Sequence, residues 1–360
     1  MAKVLEDLSN AGVAIWLDDL SRERLVSGSL KQLIKEFNVV GVTTNPSIFN
    51  SAISTSQLYK SDILQHKSDS IEEIITKLTT DDVRDACDLF RDAYDTNNQD
   101  GRVSIEVDPR FANDTKATID QGTQLWNLID RPNLLIKVPA TLAGLPAITH
   151  LAAEGISVNV TLIFSVKRYQ QVLAAYADGL EMRIAANKSI SEIHSVASFF
   201  ISRIDSAVDA LLDENSELRG AVAISNAILA YDAFLKFELS DRWKNLKIKG
   251  SNSQRPLWAS TGVKDPKYDP TRYVMQLVAK QIVNTMPENT LNAVKVNGVF
   301  LGDSITPNIG KAKQIMAKLA LTGIDLDKIT NELELDGVEK FEKSWIELMN
   351  SVNKILTGEQ

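Results

Sequence analysis

Short runs of aliphatic and β-branched residues recur along the chain, separated by longer stretches whose apolar positions fall three and four apart. The runs lie at residues 13–18, 39–44, 103–108, 134–141, 158–164, 194–201, 256–260 and 281–285. Their length and β-branched content read as strands. The spacing between them predicts helices over 20–37, 47–53, 115–129, 145–154, 165–186 and 202–212. A long polar helical region is predicted over 56–78, and an amphipathic helix over 81–94. Asn45-Pro46 stops the second strand, and Gly155 closes the helix before the fifth. Strand and helix in alternation imply parallel strands with helical crossovers, and about eight such units favour a closed (β/α)8 barrel over an open sheet.

From Leu301 the pattern changes to helices alone. Val338, Phe341, Trp345, Leu348, Val352 and Ile355 form a narrow apolar seam. The seam is expected to pack on the barrel or close its rim, with a subunit contact as the alternative. The expected organisation is a barrel over 1–300 and a helical extension over 301–360.

Composition narrows the chemistry. The 360 residues carry 39 Lys and Arg against 47 Asp and Glu, so a basic surface for nucleic acid is not expected. Cys87 is the sole cysteine and falls on an apolar stripe, which excludes an internal disulfide and favours a packed thiol over a reactive one. No apolar run is long enough to span a bilayer, and the first residues lack a signal-peptide core, so a cytoplasmic protein is expected. Three dispersed histidines offer no metal cluster, and no Gly-rich phosphate loop occurs. Neither metal nor organic cofactor is expected.

Strand ends remain, and in such a barrel they line the active site. They present Asp18, Asn45, Glu106, Lys137, Asn159 with Thr161, Ser198 and Ser260. Lys137 sits within Leu-Leu-Ile-Lys-Val-Pro-Ala-Thr; taken alone it reads more readily as a lysine snorkelling from a strand end. In company with the others, all on the interior phase, it reads as a nucleophile that forms an imine with a ketone. A free lysine is less than about 0.1% neutral at pH 7, and burial can raise that fraction. A carboxylate paired directly with an ammonium would favour the charged form by about 4 kcal/mol at 4 Å and an effective dielectric of 20. Glu106 is therefore expected to act on Lys137 through a water that Thr161 helps to hold, without touching the amine. Asp18 is expected as the second acid/base group, with Asn45 and Ser198 donating to substrate hydroxyls. Asp19 adjoins Asp18, and only one of the two can face inward; strand phase favours Asp18.

Gly41-Val-Thr-Thr-Asn-Pro-Ser-Ile, Ile105-Glu-Val-Asp, Leu135-Ile-Lys-Val-Pro-Ala-Thr, Asn159-Val-Thr-Leu-Ile-Phe-Ser, Ser198-Phe-Phe-Ile-Ser-Arg and Ala259-Ser-Thr-Gly resemble, in order, the segments of transaldolases. Trp16-Leu-Asp-Asp-Leu-Ser-Arg and the long tail are similar to the longer bacterial subfamily. The resemblance implies Lys137 as the Schiff-base lysine, Glu106 and Thr161 around the catalytic water, and Asp18 as acid/base. It implies Asn45, Asn159, Ser198, Phe200 and Ser260 at the substrate, with Arg203 on its phosphate. Many relatives carry a second phosphate-binding Arg two places after the Ser; Gly262 stands there, and Lys264 is the candidate substitute. The implied reaction moves a dihydroxyacetone unit from sedoheptulose 7-phosphate or fructose 6-phosphate to glyceraldehyde 3-phosphate or erythrose 4-phosphate, in the non-oxidative pentose phosphate pathway. The related fructose-6-phosphate aldolase-like lyases carry Gln and Tyr where Glu106 and Phe200 stand, which favours the transferase. A non-catalytic sugar-phosphate-binding barrel is the remaining alternative, and the expected assembly is a monomer or homodimer.

Overall fold

A computed structural model describes residues 3–358; the expectations at the first two and last two positions lie outside them. All eight expected strands form, and they close into one parallel barrel in sequence order: β1 (Val13–Leu17), β2 (Val39–Val42), β3 (Arg102–Glu106), β4 (Leu134–Pro139), β5 (Val158–Ile163), β6 (Ser195–Phe200), β7 (Gln254–Ala259) and β8 (Ile282–Met286). β8 pairs back onto β1, with Trp16 opposite Thr285. Every strand residue but Val40 is buried, as expected for a sheet covered on both faces.

Helix α1 (Lys3–Asn10) precedes the barrel. The helix expected over 20–37 is two, α2 (Arg22–Ser27) and α3 (Ser29–Phe37), because Gly28 adopts a left-handed conformation between them. Helix α4 (Pro46–Thr55) follows β2. The long helix expected over 56–78 is also broken, into a 3₁₀ turn (Gln57–Tyr59), α5 (Lys60–Gln65) and the start of α6 (Ile71–Leu89). A capping box of Ser70 and Glu73 starts α6, which runs on through the first part of the expected 81–94 helix; α7 (Arg91–Thr96) takes the rest. α8 (Thr115–Ile129), α9 (Gly144–Glu154), α10 (Val166–Ala185) and α11 (Ser202–Asp209) follow β3 to β6.

Between α11 and β7 stand two helices with no counterpart in the sequence reading, α12 (Val222–Glu238) and α13 (Asp241–Ile248). Much of α12 is buried on several sides, which erases the one-sided pattern of a surface helix. α14 (Arg272–Met275) and α15 (Glu288–Asn297) flank β8. α16 (Ile309–Leu321) packs on α12, outside the barrel.

The last helix, α17 (Leu326–Thr357), packs on α4, α5, α6 and α11 and touches β5. Val338, Phe341, Trp345, Leu348 and Val352 of the expected seam are buried, and Ile355 is half-buried. The seam is therefore spent on the chain's own barrel.

Two glycines make close approaches possible. A Cβ on Gly41 would stand 2.5 Å from the indole of Trp16, so only glycine lets that ring fill the lumen beneath the site. A Cβ on Gly337 would stand 2.9 Å from Leu162, so glycine lets α17 settle onto β5. Leu162 is itself left-handed (φ 61°), at an irregularity in the β5–β6 register. A bulge of this kind re-aims side chains at a barrel rim.

Candidate active site

Register alone assembles the centre. Glu106 pairs with Lys137 between β3 and β4, and Lys137 with Asn159 between β4 and β5. Neighbours in register on a parallel pair share a face, so all three enter the lumen together. Lys137 Nζ donates to Glu106 Oε2 at 3.0 Å and to the Thr44 carbonyl at 2.9 Å. The two side chains are only 5% and 3% exposed.

That contact overturns the expectation that Glu106 stays off the amine. Two buried opposite charges are far costlier apart than together, so folding brings them into contact. Burial nevertheless raises the Glu106 carboxyl from 4.5 to about 6, against the pull of Lys137 and its hydrogen bond. The carboxylate is thereby a readier proton acceptor. Glu106 Oε1 and Thr161 Oγ1 are both buried without a hydrogen-bond partner among the described residues. A buried polar atom left in that state calls for a water or a ligand group.

Asp18 directly follows β1 at the same mouth. Its Oδ1 accepts from Thr43 Oγ1 at 2.8 Å, and burial holds its carboxyl above the usual range against the opposing charge of Lys137. Asp19 turns away and pairs with Arg24 at 2.5 Å, which settles which of the two adjacent aspartates faces in.

The hydroxyl and amide groups are less free than their positions suggested. Ser198 Oγ donates to Asn159 Oδ1 at 2.8 Å, and Asn159 Nδ2 donates to Ser104 Oγ at 3.0 Å. The one proton of Ser198 is spent there in this arrangement, where it orients Asn159. Asn45 caps α4 by accepting from the Ile48 amide at 3.0 Å, which leaves its Nδ2 donors available.

At the β6 and β7 ends lie Arg203 and Ser260. Arg203, in the first turn of α11, stacks 5.3 Å from the Phe200 ring, and its Nη1 is buried without a partner among the described residues. Burial disfavours its charge, and Asp336 of α17 offsets that. Ser260, left-handed at φ 55°, meets Ser202 Oγ at 2.9 Å beside it. Lys264 is exposed and contacts neither, although its charge acts on Asp18.

α17 roofs the site. The Phe341 ring centroid is 5.5 Å from Lys137 Nζ, and Gly337 lies over Leu162 and Arg203.

Residues 15–352 match the model of the transaldolase/fructose-6-phosphate aldolase family. The chain belongs to that family. It is 53% identical over 354 residues to the transaldolase of Mycobacterium bovis (strain BCG / Pasteur 1173P2), covering 96% of this chain and 95% of that one. It is 53% identical over 355 residues to the transaldolase of Mycolicibacterium smegmatis (strain ATCC 700084 / mc(2)155), covering 96% of each. It is 51% identical over 357 residues to that of Saccharopolyspora erythraea, covering 98% and 97%. Membership in this family accounts for the barrel.

Four contributors escaped the sequence reading: Thr43, Thr44, Ser104 and Phe341. Thr43 and Thr44 stand inside the motif at Gly41, and Ser104 shares the interior phase with Glu106, so their positions were visible and their partners were not. Phe341 belongs to the recognised seam, but nothing local says that the seam faces Lys137. Elsewhere, Cys87 is buried, which pushes its thiol well above the usual range, and His194 is buried beside Arg102 and Arg255, which lowers it to about 3. Neither serves this site. Among the described residues no helix is long and apolar enough to cross a membrane.

Proposed function

We propose that the barrel mouth carries out the transaldolase reaction, moving a dihydroxyacetone unit between sugar phosphates in the non-oxidative pentose phosphate pathway. The observation that carries this reading is the buried Lys137–Glu106 pair at 3.0 Å, facing Asp18 across the lumen.

Glu106 takes a proton from the Lys137 ammonium, and the freed amine attacks the ketone carbon of fructose 6-phosphate or sedoheptulose 7-phosphate. Glu106 returns that proton to the carbinolamine hydroxyl, which leaves as water, and a cationic imine forms. Asp18 then removes the proton from the C4 hydroxyl. The C3–C4 bond breaks, its electrons pass to the imine, and an aldose phosphate leaves. An acceptor, glyceraldehyde 3-phosphate or erythrose 4-phosphate, is attacked by the resulting enamine while Asp18 returns its proton to the new hydroxyl. Water held by Glu106 and Thr161 hydrolyses the imine.

Asn45 and Asn159 hold the substrate hydroxyls, and Ser198 keeps Asn159 oriented. Arg203 clamps the phosphate, with Ser260 beside it and Lys264 at the entrance. Phe200 offers no phenol to protonate the enamine, and Phe341 covers it, which favours transfer over release. The assay is partition: with fructose 6-phosphate, transfer to erythrose 4-phosphate should far outpace release of free dihydroxyacetone without an acceptor. Equal rates would make the chain a lyase.

A further inference from the structure

The end of β8 takes part in the centre through a group with no role in the mechanism above. Thr43 Oγ1 lies 2.8 Å from Asp18 Oδ1 and also 2.8 Å from Thr285 Oγ1. Both threonines are 2% exposed. A hydroxyl has one proton to give. When Asp18 is ionised it only accepts, so Thr43 donates to Asp18 and Thr285 must donate to Thr43. When Asp18 is protonated it donates to Thr43, which then donates to Thr285. The same three oxygens stay bonded in both states by reversing the direction of the chain, with no heavy atom moving; in the neutral state the Thr285 proton is left without an acceptor among the described residues.

The frame around this chain is fixed. The Asp18 amide donates to the Met286 carbonyl, the Thr43 amide to the Leu17 carbonyl, and Thr261 Oγ1 to the Thr285 carbonyl at 2.8 Å. The strand seams β1–β2 and β1–β8 therefore hold the oxygens in line.

We propose that Thr285 is a positioning residue for Asp18, the far end of a reversible hydroxyl chain that sets the proton affinity of the acid/base group. The inference rests on the role given to Asp18 above and deepens it. Other charges act on the same carboxyl: Lys137 from β4, Asp19 next to it in the chain, Lys264 from the loop after β7, and Glu106 from β3. None of them reports the direction of the chain. Thr285 does. A donor behind Thr43 strengthens the bond that Thr43 makes to the carboxylate, and bonds to an ionised acceptor are the stronger ones. Loss of the Thr285 hydroxyl thus weakens the ionised state more than the neutral one, and proton affinity rises.

The test is Thr285→Val, which keeps shape and removes the hydroxyl, beside Thr285→Ser, which keeps the hydroxyl. Two steps are followed against pH: borohydride trapping of the first imine, and the first-turnover release of glyceraldehyde 3-phosphate from fructose 6-phosphate. Trapping depends on Lys137 and Glu106, while release depends also on Asp18. In T285V the trapping profile should match that of the unsubstituted enzyme, while the acid limb of release moves up by about half a pH unit, a modest share of one charge-assisted bond. T285S should restore it. Superimposable release profiles in a folded T285V would overturn the proposal, as would equal shifts in T285V and T285S. Absence of trapping in the unsubstituted enzyme would sink the Schiff-base reading instead. Should T285V not fold, T285A is compared with T285S in the same way.

Discussion

Phe341 sets its ring 5.5 Å from the Nζ of Lys137, although one residue lies on the last helix and the other on the fourth strand. In the proposed mechanism the ring covers the position where the imine and enamine form. Phe341→Ala should therefore leave adduct formation intact while opening the intermediate to water. Free dihydroxyacetone, as a share of total product, should rise roughly twofold to thirtyfold, since a contact of this kind is worth on the order of 0.5–2 kcal/mol. An unchanged share, measured with and without acceptor, would show that the ring is only packing.

Glu106 predicts a pH limb. In the proposed mechanism it must be ionised to take the ammonium proton, and burial has moved its carboxyl from 4.5 to about 6. Below that pH the folded enzyme holds Glu106 protonated, so kcat/KM should fall about tenfold for each further unit. An ordinary carboxylate would keep activity to about pH 4.5. Activity holding level down to pH 5 would contradict the assignment. Glu106→Gln should lose roughly a hundredfold or more at every pH, in line with general acid/base contributions.

Arg203 Nη1 has no hydrogen-bond partner among the described residues and lies beside Ser260. A charge-assisted hydrogen bond contributes about 1.5–3 kcal/mol, which corresponds to roughly 10- to 150-fold. Arg203→Ala should raise KM for fructose 6-phosphate by that order and leave the reaction of unphosphorylated fructose nearly unchanged. Equal losses on both sugars would assign the phosphate elsewhere, with Lys264 the next candidate.

Strands and their inward-facing polar ends were legible because a strand's period is two and a single residue type decides the face. Lys137 and Glu106 came out of that alternation, and so did Asn159 and Thr161. What they touch was not legible. Two charges that a Coulomb argument places on either side of a water meet directly, because burial penalises separation more than pairing favours the ammonium. The Ser198 proton goes to Asn159, a partner across β5 and β6 that no local pattern names. Helix breaks were hidden for different reasons. Gly28 and the Ser70–Glu73 box were signals in plain view within otherwise helical composition, while α12, buried on several sides, had no stripe to find. The α17 seam showed that a face was buried but not which surface it covered. The eighth strand end, Thr285, fell outside the polar ends collected from the first seven, and its contact with Thr43 appears only when the barrel closes.

The central claim is that Lys137 forms a covalent imine with a ketose phosphate. The most direct measurement is borohydride reduction in the presence of fructose 6-phosphate, followed by digestion and peptide mass mapping. The account predicts a reduced three-carbon adduct on the peptide that contains Lys137, lost in Lys137→Met. No lysine adduct, or an adduct on a different lysine, would contradict it.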